Sequence, residues 1–239
     1  MKRVRRWGTL LWVAGSFQMT SCIDGREEVW IKPNGSGRAE IHYSLPARAV
    51  QMKGGDAAVL TMIRDFIKST PEISASTCDV RTEGDLTKVR VTTEFDSALD
   101  LQNAAEGAGI AALPPAAISL AGVVEAKLDG RSLAFTRTIR PADALPGSSF
   151  LPMSTFEGHR LDYIIHLPDV PTTHNATRTE NSGRTLVWEK PLAEAIRSPI
   201  VTHFRMDIPI PWKWIGSIAA GLVVAAGLFV VRRMKPARP

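Results

Sequence analysis

The run from Trp214 to Val231 constrains this chain more than any other feature. It holds 18 residues with no charge and with Ser217 as the one polar side chain. As a helix it is about 27 Å long, and adding Trp212 brings it to about 30 Å, the thickness of a bilayer's hydrocarbon core. A helix satisfies its own backbone hydrogen bonds, so residues 212–231 are predicted to span a membrane. Trp212 and Trp214 mark the entry interface. Arg232 and Arg233 open a basic tail, 232–239, that the positive-inside rule places in the cytoplasm. Ser217, Gly221 and Ala225 form a small-residue stripe through which the helix of a second copy could approach.

The other end carries an export signal. Lys2, Arg3, Arg5 and Arg6 precede an apolar stretch, Trp7 to Met19, of 13 residues. That is about 20 Å as a helix, too short to span, so residues 1–21 read as a cleaved signal peptide. Met19-Thr20-Ser21-Cys22 resembles a lipobox, which predicts acylation of Cys22. The alternative is cleavage nearby, leaving Cys22 free to pair with Cys78, as two cysteines in an exported chain commonly do. Together the ends predict a domain, 22–211, on the outer side of a bacterial cytoplasmic (inner) membrane, facing the periplasm or exterior.

Charge distribution excludes nucleic acid as a partner. Of 29 basic residues, nine lie in the two ends, whereas all 24 acidic residues lie between them. The middle is therefore mildly acidic and offers no electrostatic footprint for a phosphate backbone. With 44% hydrophobic residues, the chain is also too apolar to be disordered.

Within the exported part, alternation predicts a hairpin of Glu28–Lys32 and Arg38–Leu45 around Asn34-Gly35. Val59, Met62, Ile63, Phe66 and Ile67 give an amphipathic helix, Asp56–Ser69, to be laid on a sheet. Strands Ile73–Arg81 and Leu86–Phe95 follow, then a short helix, Ser97–Glu106. A second hairpin, Val123–Leu128 and Ser132–Arg140, turns at Asp129-Gly130 with the type I′ signal. Pro141–Gly158 reads as a loop pinned by Phe150, Leu151, Met153 and Phe156. The last third is β-rich: Leu161–Leu167, Thr172–Arg178, Thr185–Lys190 and Ile200–Ile208. The class expected is α+β, mostly antiparallel, with about two helices on the sheet, and the order suggests two subdomains, 23–140 and 159–211.

No nucleophile elbow, zinc-helix motif, phosphate loop or dinucleotide fingerprint occurs. His166, His174 and His203 lie on or near C-terminal strands, but their spacing matches no metal-ligand motif. No catalytic, metal or cofactor-binding residue is assigned, and no cofactor is expected. The lipobox at Met19–Cys22, the Asn34-Gly35-Ser36-Gly37 hairpin, the segment from Asn175 to Trp188 and the terminal helix with its basic tail make a layout that resembles LppM-like bacterial membrane-anchored lipoproteins. That resemblance implies an envelope-exposed, β-rich domain and carries over no residue beyond Cys22. The leading expectation is a non-enzymatic, membrane-tethered domain that binds an envelope protein or lipid. An envelope hydrolase with a non-contiguous site is one alternative. A lipid or small-ligand carrier is the other, and it requires an apolar cavity between the sheet and Asp56–Ser69.

Overall fold

A computed structural model describes residues 23–99, 113, 115–145 and 147–207. The signal peptide, Cys22, the predicted span with Trp212, Trp214, Ser217, Gly221 and Ala225, and the tail with Arg232 and Arg233 lie outside the described residues. So does most of the helix predicted at Ser97–Glu106, of which residues 97–99 are turn and coil. Among the described residues, no helix is long and apolar enough to cross a membrane.

The fold is mixed α+β and mostly sheet. Strands β1 (Asp24–Ile31), β2 (Gly37–Pro46), β3 (Ile73–Glu83) and β4 (Leu86–Phe95) come first, with helices α1 (Ala47–Gln51) and α2 (Gly55–Lys68) between β2 and β3. Helix α3 (Pro115–Ala121) leads to the hairpin β5 (Val123–Asp129) and β6 (Ser132–Ile139), then to α4 (Pro141–Ala144). The remainder is β7 (Arg160–His166), β8 (Thr173–His174), β9 (Arg178–Glu180), β10 (Thr185–Pro191), α5 (Leu192–Ala195) and β11 (Ile200–Asp207). Seven strands form one sheet in the order β3-β4-β2-β1-β7-β10-β9, and four form another in the order β5-β6-β11-β8.

Both predicted hairpins form, with Glu28 opposite Glu40 in the first and Leu128 opposite Leu133 in the second. The second turn differs in type: Gly130 takes a positive φ of 60° but Arg131 does not, so this is not the type I′ pattern. The two segments 23–140 and 159–211 are not separate units. β1 pairs in parallel with β7, Glu27 opposite Tyr163, and β11 pairs with β6, Phe204 opposite Phe135. Each sheet is thus completed by strands from both segments.

Thr172–Arg178 is not one strand. His174 pairs with Phe204 in the small sheet, while Arg178 pairs with Val187 in the large one, so the chain crosses between sheets here. Asn175 makes the crossing: its Oδ1 accepts from Trp188 Nε1 at 2.9 Å and from the His203 amide at 2.8 Å, and its Nδ2 donates to the Val201 carbonyl at 2.8 Å. Pro141–Gly158 holds α4 and two turns of 3-10 helix, anchored by fully buried Phe156. Phe150, expected to help pin it, stands 89% exposed.

The inner faces of the two sheets share one core. Leu161, Tyr163 and Trp188 of the large sheet meet Phe135, Ile139 and Phe204 of the small one. At its other end the large sheet is covered by α2, whose Val59, Ile63 and Ile67 pack on Val80, Val89 and Val91. Between these two covers lie β2 and β1.

Candidate functional site: an apolar cavity with a buried polar cluster

Central strands are ordinarily the most buried part of a covered sheet, yet here the inward faces of β1 and β2 are less buried than those of their neighbours β4 and β7. The inward side chains of β2, Ala39, Ile41, Tyr43 and Leu45, and Val29 and Ile31 of β1, are only half-buried. The apolar face of α2 is likewise half-buried at Val59, Met62, Ile63, Phe66 and Ile67. The gap between α2 and the small sheet is a cavity of about 380 Å³, lined by both sheets, α2 and α3. Its size falls in the range of small-molecule sites, about 300–1,000 Å³. Ala98 and Leu113, which flank residues 100–112, both line it.

One polar cluster interrupts this lining. Glu27 sits on β1 in phase with Val29 and Ile31, and Arg137 sits on β6 in phase with Leu133, Phe135 and Ile139, so both charges point inward. Arg137 Nη1 donates to Glu27 Oε2 at 2.5 Å and Nη2 donates to Oε1 at 3.2 Å, a bidentate pair. Nε and Nη2 also donate to the carbonyls of Ala121 and Leu120 at the end of α3, at 2.8 and 3.1 Å. Burial works against the guanidinium's charge, but Glu27 outweighs it and holds the proton more tightly than usual. Tyr43 Oη donates to Glu27 Oε1 at 2.6 Å. Gly25 makes room for this: a Cβ there would collide with the Tyr43 ring.

Tyr163 completes the cluster differently. It is 3% exposed and lines the cavity, with the Arg137 guanidinium 5.3 Å from its ring centre. Its hydroxyl is buried and finds no partner within 3.5 Å among the described residues, with the Tyr43 hydroxyl as its hydrogen-bonding neighbour just beyond that reach. Burial and the neighbouring Glu27 push its pKa up, so it keeps its proton. A buried hydroxyl without a partner costs about 1–3 kcal/mol, which makes it unusual in a native fold.

The opposite face of the large sheet is polar. A groove of about 560 Å³ runs over Arg26, His42, Arg90 and Asp162. Most of its charges neutralise one another, as in Arg81–Asp79, Lys88–Glu83 and Arg160–Asp162. Asp162 is 5% exposed and its Oδ1 has no partner among the described residues; burial pushes its carboxyl pKa up.

The histidines do not converge. His166 bonds Glu28, His203 bonds Thr136, and His174 accepts from the Ala176 amide. Among the described residues, no group of three metal-ligating side chains occurs. His166 does join a hydroxyl to a carboxylate: Nδ1 meets Thr185 Oγ1 at 3.0 Å and Nε2 meets Glu28 Oε1 at 2.7 Å. The order is that of a nucleophile relay, but Thr185 is 1% exposed and lines neither cavity, so substrate has no path to it. Trp30 stacks on His166 with ring centres 5.0 Å apart, and the chain clasps β1 to β7 and β10. Cys78 packs against the Val80, Val89 and Val91 cluster; burial pushes its thiol pKa up, which disfavours the reactive thiolate.

The polar cluster escapes a sequence reading based on motifs, since Glu27 and Arg137 are 110 positions apart. The available signal is phase: each is a charge where its strand's alternation calls for an apolar side chain.

No protein-family model matches the chain, and neither does any curated protein. Among solved structures, it is similar to the NMR structure of the folded domain of Mycobacterium tuberculosis LppM, with a TM-score of 0.46 and 11% identity over 80% of this chain and 92% of that one. The layout-level resemblance to LppM-like lipoproteins therefore extends to a weak likeness of fold, and it carries no argument about activity.

Proposed function

We propose that this chain is a membrane-tethered, extracytoplasmic lipid-binding domain that acts by binding rather than catalysis. The observation that carries the reading is the cavity over β1 and β2, where the central strands of the large sheet and the apolar face of α2 are left half-covered. An apolar cavity of this kind gains by filling, at about 25 cal/mol for each Å² of apolar surface removed from water. Its lining is largely aliphatic and extends across β4, β2, β1 and β7, or about 14 Å at ordinary strand spacing. That shape suits an acyl chain. The predicted signal, lipidated Cys22 and span at 212–231 supply the setting: a domain held four residues from a bilayer, where such chains are abundant. Of the alternatives, a hydrolase is less supported, because in the hydroxyl–imidazole–carboxylate chain found among the described residues the Thr185 hydroxyl is sealed from solvent.

Full-length protein purified in maltoside should bind a fluorescent long-chain acyl probe that unlabelled phospholipid displaces. Ile63→Asp, which puts a charge into the lining, should weaken that binding at least tenfold while circular dichroism stays unchanged. Absence of binding by every long-chain probe, joined to loss of stability when residues 100–112 are replaced by glycine and serine, would assign the cavity to the chain's own segment. Resistance of the membrane-bound protein to alkaline carbonate tests the tether separately.

A further inference from the structure

The two predicted attachment points restrict how the domain can meet a bilayer, and the argument rests on the tether in the reading above. β1 runs parallel to β7. β7 and β11 also run the same way: α5 starts beside His159 and leads into β11 at Ile200, while the chain leaving β7 at His166 meets β11 at Arg205. Arg137, opposite Thr202, holds Glu27, so β1 and β11 are level there. Ile23 lies four residues before that level and Asp207 five beyond it, so the two are roughly 30 Å apart along the strands. Cys22 is joined directly to buried Ile23, so an acyl group on it has no linker. Asp207 has four residues, 208–211, before Trp212, a reach of about 14 Å at most. With either end of the strands toward the bilayer, one attachment point is left stranded. With the small sheet or an edge toward it, central β1 is lifted away and Cys22 with it. With the large sheet toward it, Asp207 stands back by one sheet spacing, about 10 Å, which four residues can cover.

The face so presented carries the polar groove, which begins two residues from Cys22, at Asp24. Arg26, Arg81, Lys88 and Arg160 each pair with a carboxylate. Arg90 pairs with none among the described residues: it is exposed, and its one side-chain bond runs from Nε to His42 Nδ1 at 3.3 Å. An imidazole that accepts at Nδ1 carries its proton on Nε2 and can donate from there. Lys88, two residues from Arg90 on the same face of β4, is held by Glu83 in an exposed pair, which is weak enough to yield to another anion.

We infer that the outer face of the large sheet lies on the membrane surface, with the phosphate of a phospholipid headgroup in the groove among Arg90, His42 and Lys88. The charges match: a phosphate diester brings one negative charge, and Arg90 supplies a guanidinium with a free fork for its oxygens.

The test reconstitutes the full chain in nanodiscs of phosphatidylcholine and phosphatidylglycerol and exposes it briefly to an amine-acetylating reagent, with each lysine read by mass spectrometry. Lys88 reports on the large sheet's outer face, and exposed Lys127 on β5 is the control on the small sheet. Relative to protein in maltoside micelles, Lys88 should react at least fivefold more slowly in the discs, while Lys127 keeps its rate. Arg90→Gln changes an exposed strand position, so it should fold as the parent does and lose at least half of that protection. Lys88 reacting as fast in discs as in micelles, or protected equally in Arg90→Gln, overturns the inference. Glycerol 1-phosphate added to the micelles should leave Lys88 reactive; protection as complete as in the discs would make the groove a site for soluble phosphate esters and overturn the membrane assignment. If the wild type does not enter the discs at all, the tether itself falls, and this inference with it.

Discussion

Glu27 and Arg137 show how a single residue can be expensive and still be kept. Each partner alone would be an isolated charge facing an apolar cavity; together they cancel, and Arg137 also holds the end of α3. Arg137→Met should therefore cost about 3–5 kcal/mol in denaturant melts, and adding Glu27→Leu to it should recover much of that loss, since both charges are then gone. Two tyrosines on the same cluster should behave in opposite ways. Tyr43→Phe removes a hydrogen bond to a charged acceptor, worth about 2 kcal/mol, whereas Tyr163→Phe should leave ligand-free stability unchanged or improved. Asp162 supplies a pH signature on the polar face. Its raised carboxyl pKa means that folding takes up a proton, so its favourable contribution is present in acid and lost as pH rises through the folded value. Asp162→Asn should accordingly stabilise the protein at pH 7, and the gain should vanish below about pH 4, in paired urea titrations. Periodicity does reveal such residues, as charges in an apolar phase, but it does not pair them: nothing local to Glu27 points to Arg137.

At the scale of elements, Asn175 does the most with the least. A two-residue strand on one sheet and a three-residue strand on the other are joined through its side chain, which also satisfies the indole of a tryptophan that is 1% exposed. Asn175→Ala orphans Trp188 Nε1 and the His203 amide, and should cost about 2–4 kcal/mol with a red shift of tryptophan emission, measured by fluorescence-monitored unfolding. The hairpins and α2 were legible because each is set by its own residues: alternation, a turn glycine, a stripe at helical spacing. β8 and β9 were not, because a seven-residue stretch with three threonines reads as one strand and carries no mark that the chain changes sheets halfway. Phe150 misled for a related reason. An aromatic side chain in a loop reads as an anchor, yet Phe156, six residues on, fills the buried place.

For the whole molecule, the decisive contacts are those that join distant parts of the chain. The parallel seam of β1 with β7 and the pairing of β6 with β11 interlock residues before 140 with residues after 159. A chain ended at residue 140 should therefore not yield a folded half: its amide resonances should collapse into the random-coil range, and it should be cut by protease throughout. Parallel seams are hard to read because no short turn announces them; only the folded chain brings Tyr163 opposite Glu27. Ligand should strengthen the intact domain by mass action, about 2.7 kcal/mol at a hundredfold excess over its dissociation constant, visible as a raised melting temperature.

The same seam also orders events in time. Synthesis delivers the amino end first, so β1 to β4 and α2 are all on hand once Phe95 has emerged, well before the strands that complete their sheet. The free rim of β1 then stays without a neighbour until Arg160 arrives, and β6 waits for Ile200. For much of its emergence, the nascent chain presents a bare apolar floor and an unmated strand, and this is the interval in which a chaperone has something to grip.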